Sequence, residues 1–122
     1  METVRDIMSR DLVTVEPSAT VAEAATVMGG RGVGSALVVD GEAPVGIFTE
    51  RDVLRALASD FDAAHHPVAD WMTHDPVSIE AQADVSVARD LMLERGFRHL
   101  PVTDGGTLVG IVSLRDLSSR EA

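Results

Sequence analysis

Apolar residues follow two different spacings along this chain. Short runs at 12–15 and 76–79, LVTV and PVSI, are rich in β-branched side chains and predict strands. Each run is followed by a segment, at 20–30 and at 84–95, whose apolar residues recur every three or four positions. That spacing places them on one face of an amphipathic helix. The pattern therefore predicts a strand followed by a helix, twice.

Each predicted helix leads into a hairpin and then a second helix. The hairpin turns contain the pairs Asp40-Gly41 and Asp104-Gly105, which favour tight turns. The closing helices begin at Thr49, running to about residue 59, and at Ser113, running nearly to the C-terminus. Short lead-in helices are predicted as well. The hairpin strands are predicted at 35–39, 45–48, 99–103 and 108–112, and the lead-in helices at 3–8 and 67–72.

The two halves of the chain are copies of one another. A shift of 64 positions aligns residues 4–54 with 68–118 without a gap and gives 20 identities in 51 positions. Each copy has the order β-α-β-β-α. One copy is too small to cover both faces of its own sheet, so the copies are expected to pack sheet to sheet about a pseudo-twofold axis. We predict a mixed α/β (α+β) domain with repeat 1 at 1–60, a connector at 61–67 and repeat 2 at 68–122.

Composition narrows the classes of function. The net charge is −10, and all ten basic residues are arginine, so a broad nucleic-acid-binding surface is not expected. Cysteine is absent, which excludes thiolate metal sites. With no secretory signal pattern and no apolar run long enough to span a bilayer, a soluble, cytoplasmic protein is expected. The sequence contains no Cys nucleophile, phosphate-loop or zinc-protease motif, so we do not expect an enzyme.

Five sequence segments occur in a fixed order along the chain. They are DIMSRDLVTV at 6–15, GIFTERD at 46–52, DWMTHDPVSI at 70–79, FRHLPVTD at 97–104 and GIVSLRD at 110–116. Together they resemble the tandem cystathionine-β-synthase (CBS) domain pair, or Bateman module. The resemblance covers residues 4 to 118, so an attached catalytic domain is not expected. In that family, the adenosine part of AMP, ADP, ATP or S-adenosylmethionine binds in a cleft between the repeats.

The resemblance assigns roles to specific residues. The aspartate of each strand-to-helix motif holds the ribose hydroxyls, and the Ser or Thr three residues earlier contacts ribose or phosphate. Further residues are assigned to the adenine edge, at the first strand of each repeat, and to the phosphate. The site residues are thus Thr49 and Asp52 in one copy, Ser113 and Asp116 in the other, Val13 and Val77 for adenine, and Arg98 and His99 for phosphate.

The residue chemistry fits these roles, but other interpretations stay open. A carboxylate only accepts hydrogen bonds, and both ribose hydroxyls can donate them. TERD and SLRD are equally helix-capping sequences. Arg98 and His99 have no counterpart in copy one, so the two sites should differ unless both residues simply face solvent. The neighbours His65 and His66 are expected to be a solvated connector rather than a metal site with Asp60 or Asp62.

Two classes of function follow from these observations. The first is a non-catalytic regulatory module that senses an adenine nucleotide or adenosyl ligand and signals to an effector protein. The second is a ligand-independent domain for dimerisation or protein interaction. The resemblance implies a homodimer formed through the helices in either case, and no required cofactor. A small metal-binding or enzymatic domain ranks third.

Overall fold

The computed structural model describes residues 2–118. The order β-α-β-β-α predicted for each copy is confirmed, and the fold is mixed α+β. The helices are α1 (Val4–Ile7), α2 (Val21–Arg31), α3 (Glu50–Ser59), α4 (Val85–Arg95) and α5 (Leu114–Ser118), with 3-10 turns at Phe61–His65 and Val68–Asp70. The strands are β1 (Thr14–Val15), β2 (Ser35–Asp40), β3 (Ala43–Thr49), β4 (Thr73–His74), β5 (Ile79–Glu80), β6 (His99–Asp104) and β7 (Thr107–Ser113).

The chain forms two compact units. Residues 13–76 make the first unit, and residues 2–12 together with 77–118 make the second. Each unit therefore takes its hairpin and helices from one repeat and its lead-in segment from the other.

The first unit is built on a four-stranded sheet in the order β1-β2-β3-β4. Strand β1 runs parallel to β2, with Thr14 opposite Leu37, and β2 and β3 form an antiparallel hairpin. The buried part of this core consists of Val, Ala, Met and the fully buried Phe48, and the partly buried Trp71 packs against it. It includes Val68, from the lead-in segment of the second repeat.

The second unit repeats this topology in a three-stranded sheet, β5-β6-β7, with β5 parallel to β6. The position that β4 holds in the first unit is taken by an isolated bridge between Ser9 and Ile111. Val4 of α1 is fully buried among Leu100, Val112 and other residues of the second repeat.

Local signals explain where the elements begin and end. Thr20 caps α2: its Oγ1 accepts the N–H of Glu23 at 3.0 Å, and the Glu23 carboxylate accepts the N–H of Thr20 at 3.1 Å. Helices α2 and α4 each end at a glycine in the left-handed region, Gly32 and Gly96 respectively.

The structure differs from the predicted elements in three respects, and a fourth prediction is not tested. The first strands are shorter than 12–15 and 76–79, and the second lead-in helix is only the 3-10 turn Val68–Asp70. Strand β4 was not predicted. The predicted end of α5, beyond residue 118, lies outside the described residues. No helix in residues 2–118 is long and apolar enough to cross a membrane.

Candidate functional site

Sheet topology gathers the predicted residues of each repeat at one end of its sheet. In the first unit, β1 and β2 start at the end where β3 finishes, because Thr14 lies opposite Leu37 and Ser35 lies opposite Thr49. Val13, directly before β1, and Thr49, at the end of β3, therefore share that end. The second unit places Val77, His99 and Ser113 in the same way, with His99 directly opposite Ser113.

Thr49 and Asp52 form a reciprocal capping box at the start of α3. The Thr49 N–H donates to Asp52 Oδ2 at 2.9 Å, and the Asp52 N–H donates to Thr49 Oγ1 at 3.3 Å. The next amide, of Glu50, donates to the carbonyl of Gly34 at 2.9 Å. Helix capping is therefore present at this position, as the alternative interpretation of the sequence held. Two of the first amides of α3, those of Glu50 and Asp52, already have acceptors. Fewer N–H groups at this helix start therefore remain to bind an anion than the sequence suggested.

Asp52 also forms an ion pair that the sequence did not predict. Its Oδ1 accepts from Arg55 Nη1 at 2.8 Å, and the carboxylate side chain is only 8% exposed, against 58% for the arginine. The Arg55 guanidinium lies 6.0 Å from the ring centroid of Trp71. A buried carboxylate needs charge compensation, and Arg55 supplies it here.

Ser113 and Asp116 form the corresponding box in the second unit. The Ser113 N–H donates to Asp116 Oδ2 at 3.2 Å, and the Asp116 N–H donates to Ser113 Oγ at 3.0 Å. The amide of Leu114 donates to the carbonyl of Arg98 at 2.8 Å, so the backbone of residue 98 is tied to the start of α5. The Arg98 side chain itself is exposed.

His99 lies within the electrostatic influence of both Asp116 and Arg98. Partial burial lowers the pKa of His99 below the ordinary value, the Arg98 charge lowers it further, and the Asp116 carboxylate acts in the opposite direction. The imidazole is therefore more often neutral at pH 7 than an exposed histidine. A neutral imidazole can donate one hydrogen bond and accept another.

The two valines assigned to adenine differ in exposure. Val13 is buried, and its carbonyl accepts the N–H of Leu37 at 2.9 Å as part of the β1–β2 pairing. Val77 is only partly buried, packed against the core of the second unit. Since the carbonyl of Val13 is already bonded, adenine recognition through it would use the second lone pair.

Metal-binding clusters and grooves away from the predicted site residues are two other kinds of candidate site. Within residues 2–118, no group of three or more His, Asp or Glu residues is placed to hold a metal ion, and His66 faces Asp60 at 3.8 Å. An open groove of about 330 Å³ lies beside α2 in the first unit. It contains none of the predicted site residues, and its Glu23 is engaged in the α2 cap.

Sequence reasoning missed Arg55 and Trp71. A signal for Arg55 was available, because residues three apart on a helix lie on neighbouring turns and an Asp–Arg pair at that spacing commonly interacts. No comparable signal exists for Trp71, which lies in the lead-in segment of the other repeat and is brought to Arg55 by the fold.

Comparison with known proteins agrees with this fold and repeat. Both repeats match the CBS domain model, at residues 4–59 and 68–121, so the chain belongs to the CBS domain family and contains two such domains in tandem. An uncharacterized 17.7 kDa protein of Acidianus ambivalens is 42% identical over 118 residues, which is 94% of this chain and 70% of that protein.

Solved structures of similar proteins contain adenine compounds. A CBS domain protein from Pyrobaculum aerophilum complexed with AMP has a TM-score of 0.88 and 29% identity, over 98% of this chain and 93% of that one. A CBS domain pair in complex with 5′-methylthioadenosine and S-adenosyl-L-methionine has a TM-score of 0.86 and 26% identity, over 97% and 94%.

Proposed function

We propose that this chain is a regulatory module that binds an adenine nucleotide or adenosyl ligand, with Asp52 and Asp116 as the ribose-binding groups of the two repeats. The observation that carries the proposal is the pair of carboxylates, each held at a helix start where the strands of its own unit begin and end. AMP in one similar CBS structure and adenosyl compounds in another support the choice of ligand class.

The capping boxes are compatible with ligand binding. In each box one carboxylate oxygen accepts a backbone N–H, and a carboxylate has about four acceptor positions in all. A sugar hydroxyl can therefore bind without breaking the cap. The hydroxyls of Thr49 and Ser113 accept an N–H and can still orient their own hydrogen toward a ribose or phosphate oxygen.

The second repeat is the better candidate for a phosphate-bearing ligand. Arg98 offers a planar guanidinium suited to phosphate, and His99 lies opposite Ser113 on the adjacent strand. The equivalent positions in the first repeat are Gly34 and Ser35. We therefore expect Arg98→Gln to weaken AMP binding while leaving adenosine binding nearly unchanged.

Isothermal titration calorimetry tests the proposal. AMP, ADP, ATP and S-adenosylmethionine are titrated, with GMP as the control for base selectivity. Asp116→Asn should weaken the tighter adenine-ligand site by at least about tenfold, because the loss of a charge-assisted hydrogen bond inside a site costs about 1.5–3 kcal/mol. Asparagine retains an oxygen for the capping bond, so the helix start is preserved.

The control is Asp90→Asn, which makes the same change at an exposed position of α4. Unchanged adenine-ligand affinity in the folded double variant Asp52→Asn/Asp116→Asn would show that these carboxylates do not hold the ribose.

We also propose that the chain forms a homodimer, which is the alternative function if no ligand binds. Three large apolar side chains on α3 and the following 3-10 turn support this. Leu54 is 70% exposed, Leu57 46% and Phe61 99%, with spacings that place them along one side of the segment. Apolar side chains clustered in this way commonly mark an interaction surface.

Light scattering during gel filtration tests the dimer. We expect Leu54→Glu to shift the chain toward the monomer mass, whereas Gln82→Glu, which adds the same charge at an exposed turn of the second unit, should not. A wild-type chain of monomer mass at micromolar concentration would contradict the dimer without affecting the ligand proposal.

A further inference from the structure

The carboxylate of Asp52 already has a strong donor on each oxygen. Oδ2 accepts the Thr49 N–H at 2.9 Å, and Oδ1 accepts Arg55 Nη1 at 2.8 Å. The first bond closes the helix cap and is needed for α3. The second is a charge-assisted bond on the oxygen that the cap does not use.

Arg55 contacts both the Asp52 carboxylate and the Trp71 ring. Its planar guanidinium donates to the carboxylate as a ribose hydroxyl would, and it also lies near the face of Trp71, 6.0 Å from the ring centroid. That distance is at the outer limit of a cation–π contact. The arginine side chain is more than half exposed, so it can leave Asp52 without disturbing the core.

We propose that Arg55 is an internal competitor of the ligand at the first-repeat site, holding the Asp52 oxygen until a ligand displaces it. This inference depends on the proposed function, because it assumes that Asp52 is a ribose-binding group. Arg55 is therefore a specificity-determining residue that weakens ribose binding at one of the two sites.

Neither Arg55 nor Trp71 has a counterpart in the duplication. The positions equivalent to Arg55 and Trp71, 64 residues away, are Ser119 and Ile7. Neither residue can supply a guanidinium or an indole. The contact of Arg55 with the aspartate and the indole is thus particular to the first unit.

The competition also selects between ligand classes. A displaced Arg55 loses its anionic partner, and a neutral nucleoside offers no replacement. A ligand that carries a phosphate offers an anion that a guanidinium binds well. Removal of Arg55 should therefore benefit adenosine more than AMP at this site.

The experiment uses adenosine and AMP as probes in the Asp116→Asn background, where the second-repeat site is weakened. Arg55→Gln should tighten adenosine binding by about three- to tenfold, a modest factor because exposed ion pairs are weak. AMP should gain less. Trp71 is the only tryptophan of the chain, so its fluorescence gives a second readout of the first-repeat site.

The matched control is Arg95→Gln in the same background. Arg95 also lies over an aromatic ring, 5.8 Å from the centroid of Phe97, and its loss changes the net charge equally. It should leave adenosine affinity unchanged. Arg55→Lys keeps a cation beside Asp52 and should retain most of the competition.

Unchanged or weaker adenosine binding after Arg55→Gln overturns the competitor role. So does a failure to bind adenosine both in the Asp116→Asn variant and in the Asp116→Asn/Arg55→Gln variant. Any gain must vanish when Asp52→Asn is added. Failure of the proposed function itself is seen separately, as an intact chain whose adenine-ligand binding is unaffected by Asp116→Asn and by Asp52→Asn.

Discussion

At the scale of single residues, each repeat has an aspartate three positions after a Thr or Ser, and each of its two carboxylate oxygens can bind a different partner. One carboxylate oxygen closes the helix cap in both repeats. What the other oxygen does depends on the neighbours, and in the first repeat the neighbour is Arg55. The four-residue motif alone therefore does not determine which further partner its carboxylate has, because that partner comes from residues outside the motif.

His99 makes stability depend on pH in a defined direction. Its pKa in the folded chain is below the ordinary value of about 6.5, because burial and Arg98 disfavour the cation more than Asp116 favours it. The unfolded chain therefore binds the proton more readily. The contribution of neutral His99 to stability is complete above about pH 6.5 and is lost as the pH falls through the folded pKa.

The urea concentration at the unfolding midpoint should fall between pH 7.5 and pH 5.5 in the intact chain. We expect that fall to be smaller in His99→Gln. Direct titration of the His99 ring by NMR should show the lowered pKa. His65→Gln, the same substitution at an exposed histidine, is the control for the change of side chain. Identical pH slopes for the intact chain and His99→Gln would contradict the prediction.

At the scale of elements, each sheet accepts the lead-in segment of the other repeat at a glycine. The side chain of Met72 lies against Gly46 of β3, and that of Met8 lies against Gly110 of β7. A Cβ at either glycine would overlap the methionine sulfur. The glycines thus permit the close approach by which Ser9 bridges Ile111 and β4 pairs with β3.

Substitution at Gly46 tests this contact. Gly46→Ala should lower the free energy of unfolding by about 1–3 kcal/mol, because the added methyl group forces Met72 or the strand to move. Urea denaturation measures the change. Gly30→Ala is the control, at an exposed helical position with no atom within 4 Å of the new Cβ, and should raise stability by up to about 1 kcal/mol. Equal effects of the two substitutions would argue against the close approach.

The helices and hairpins could be predicted because their signals are local: capping pairs, turn pairs and the period of the apolar residues. The same logic located the Asp52 and Asp116 boxes. Strand β4 has no such signal, since its two residues become a strand only by pairing with β3. The duplication also could not show which lead-in segment joins which unit, because both copies carry the same apolar pattern at that place.

At the scale of the whole molecule, the repeat and the folding unit have different boundaries. Val4 belongs to the first repeat by sequence but is buried in the second unit, where its N–H donates to the carbonyl of Ala83 at 2.8 Å. Val68 belongs to the second repeat and is buried in the first unit, where its N–H donates to the carbonyl of Ala19 at 2.8 Å. Neither unit has a complete core without a segment of the other repeat.

Because each lead-in segment is buried in the unit of the other repeat, two equivalent substitutions should destabilise different units. Val4→Ala and Val68→Ala each remove two methyl groups from a fully buried site, which should cost about 2 kcal/mol. Hydrogen exchange with mass spectrometry locates the loss, because locally destabilised segments open more often under native conditions. Val4→Ala should accelerate exchange in residues 99–113, and Val68→Ala in residues 35–49. Each variant serves as the other's control. If Val4→Ala instead loosened 35–49, or both variants loosened both hairpins equally, the lead-in segments would not be divided between the units as the structure has them, and the repeat boundaries would also be the boundaries of folding.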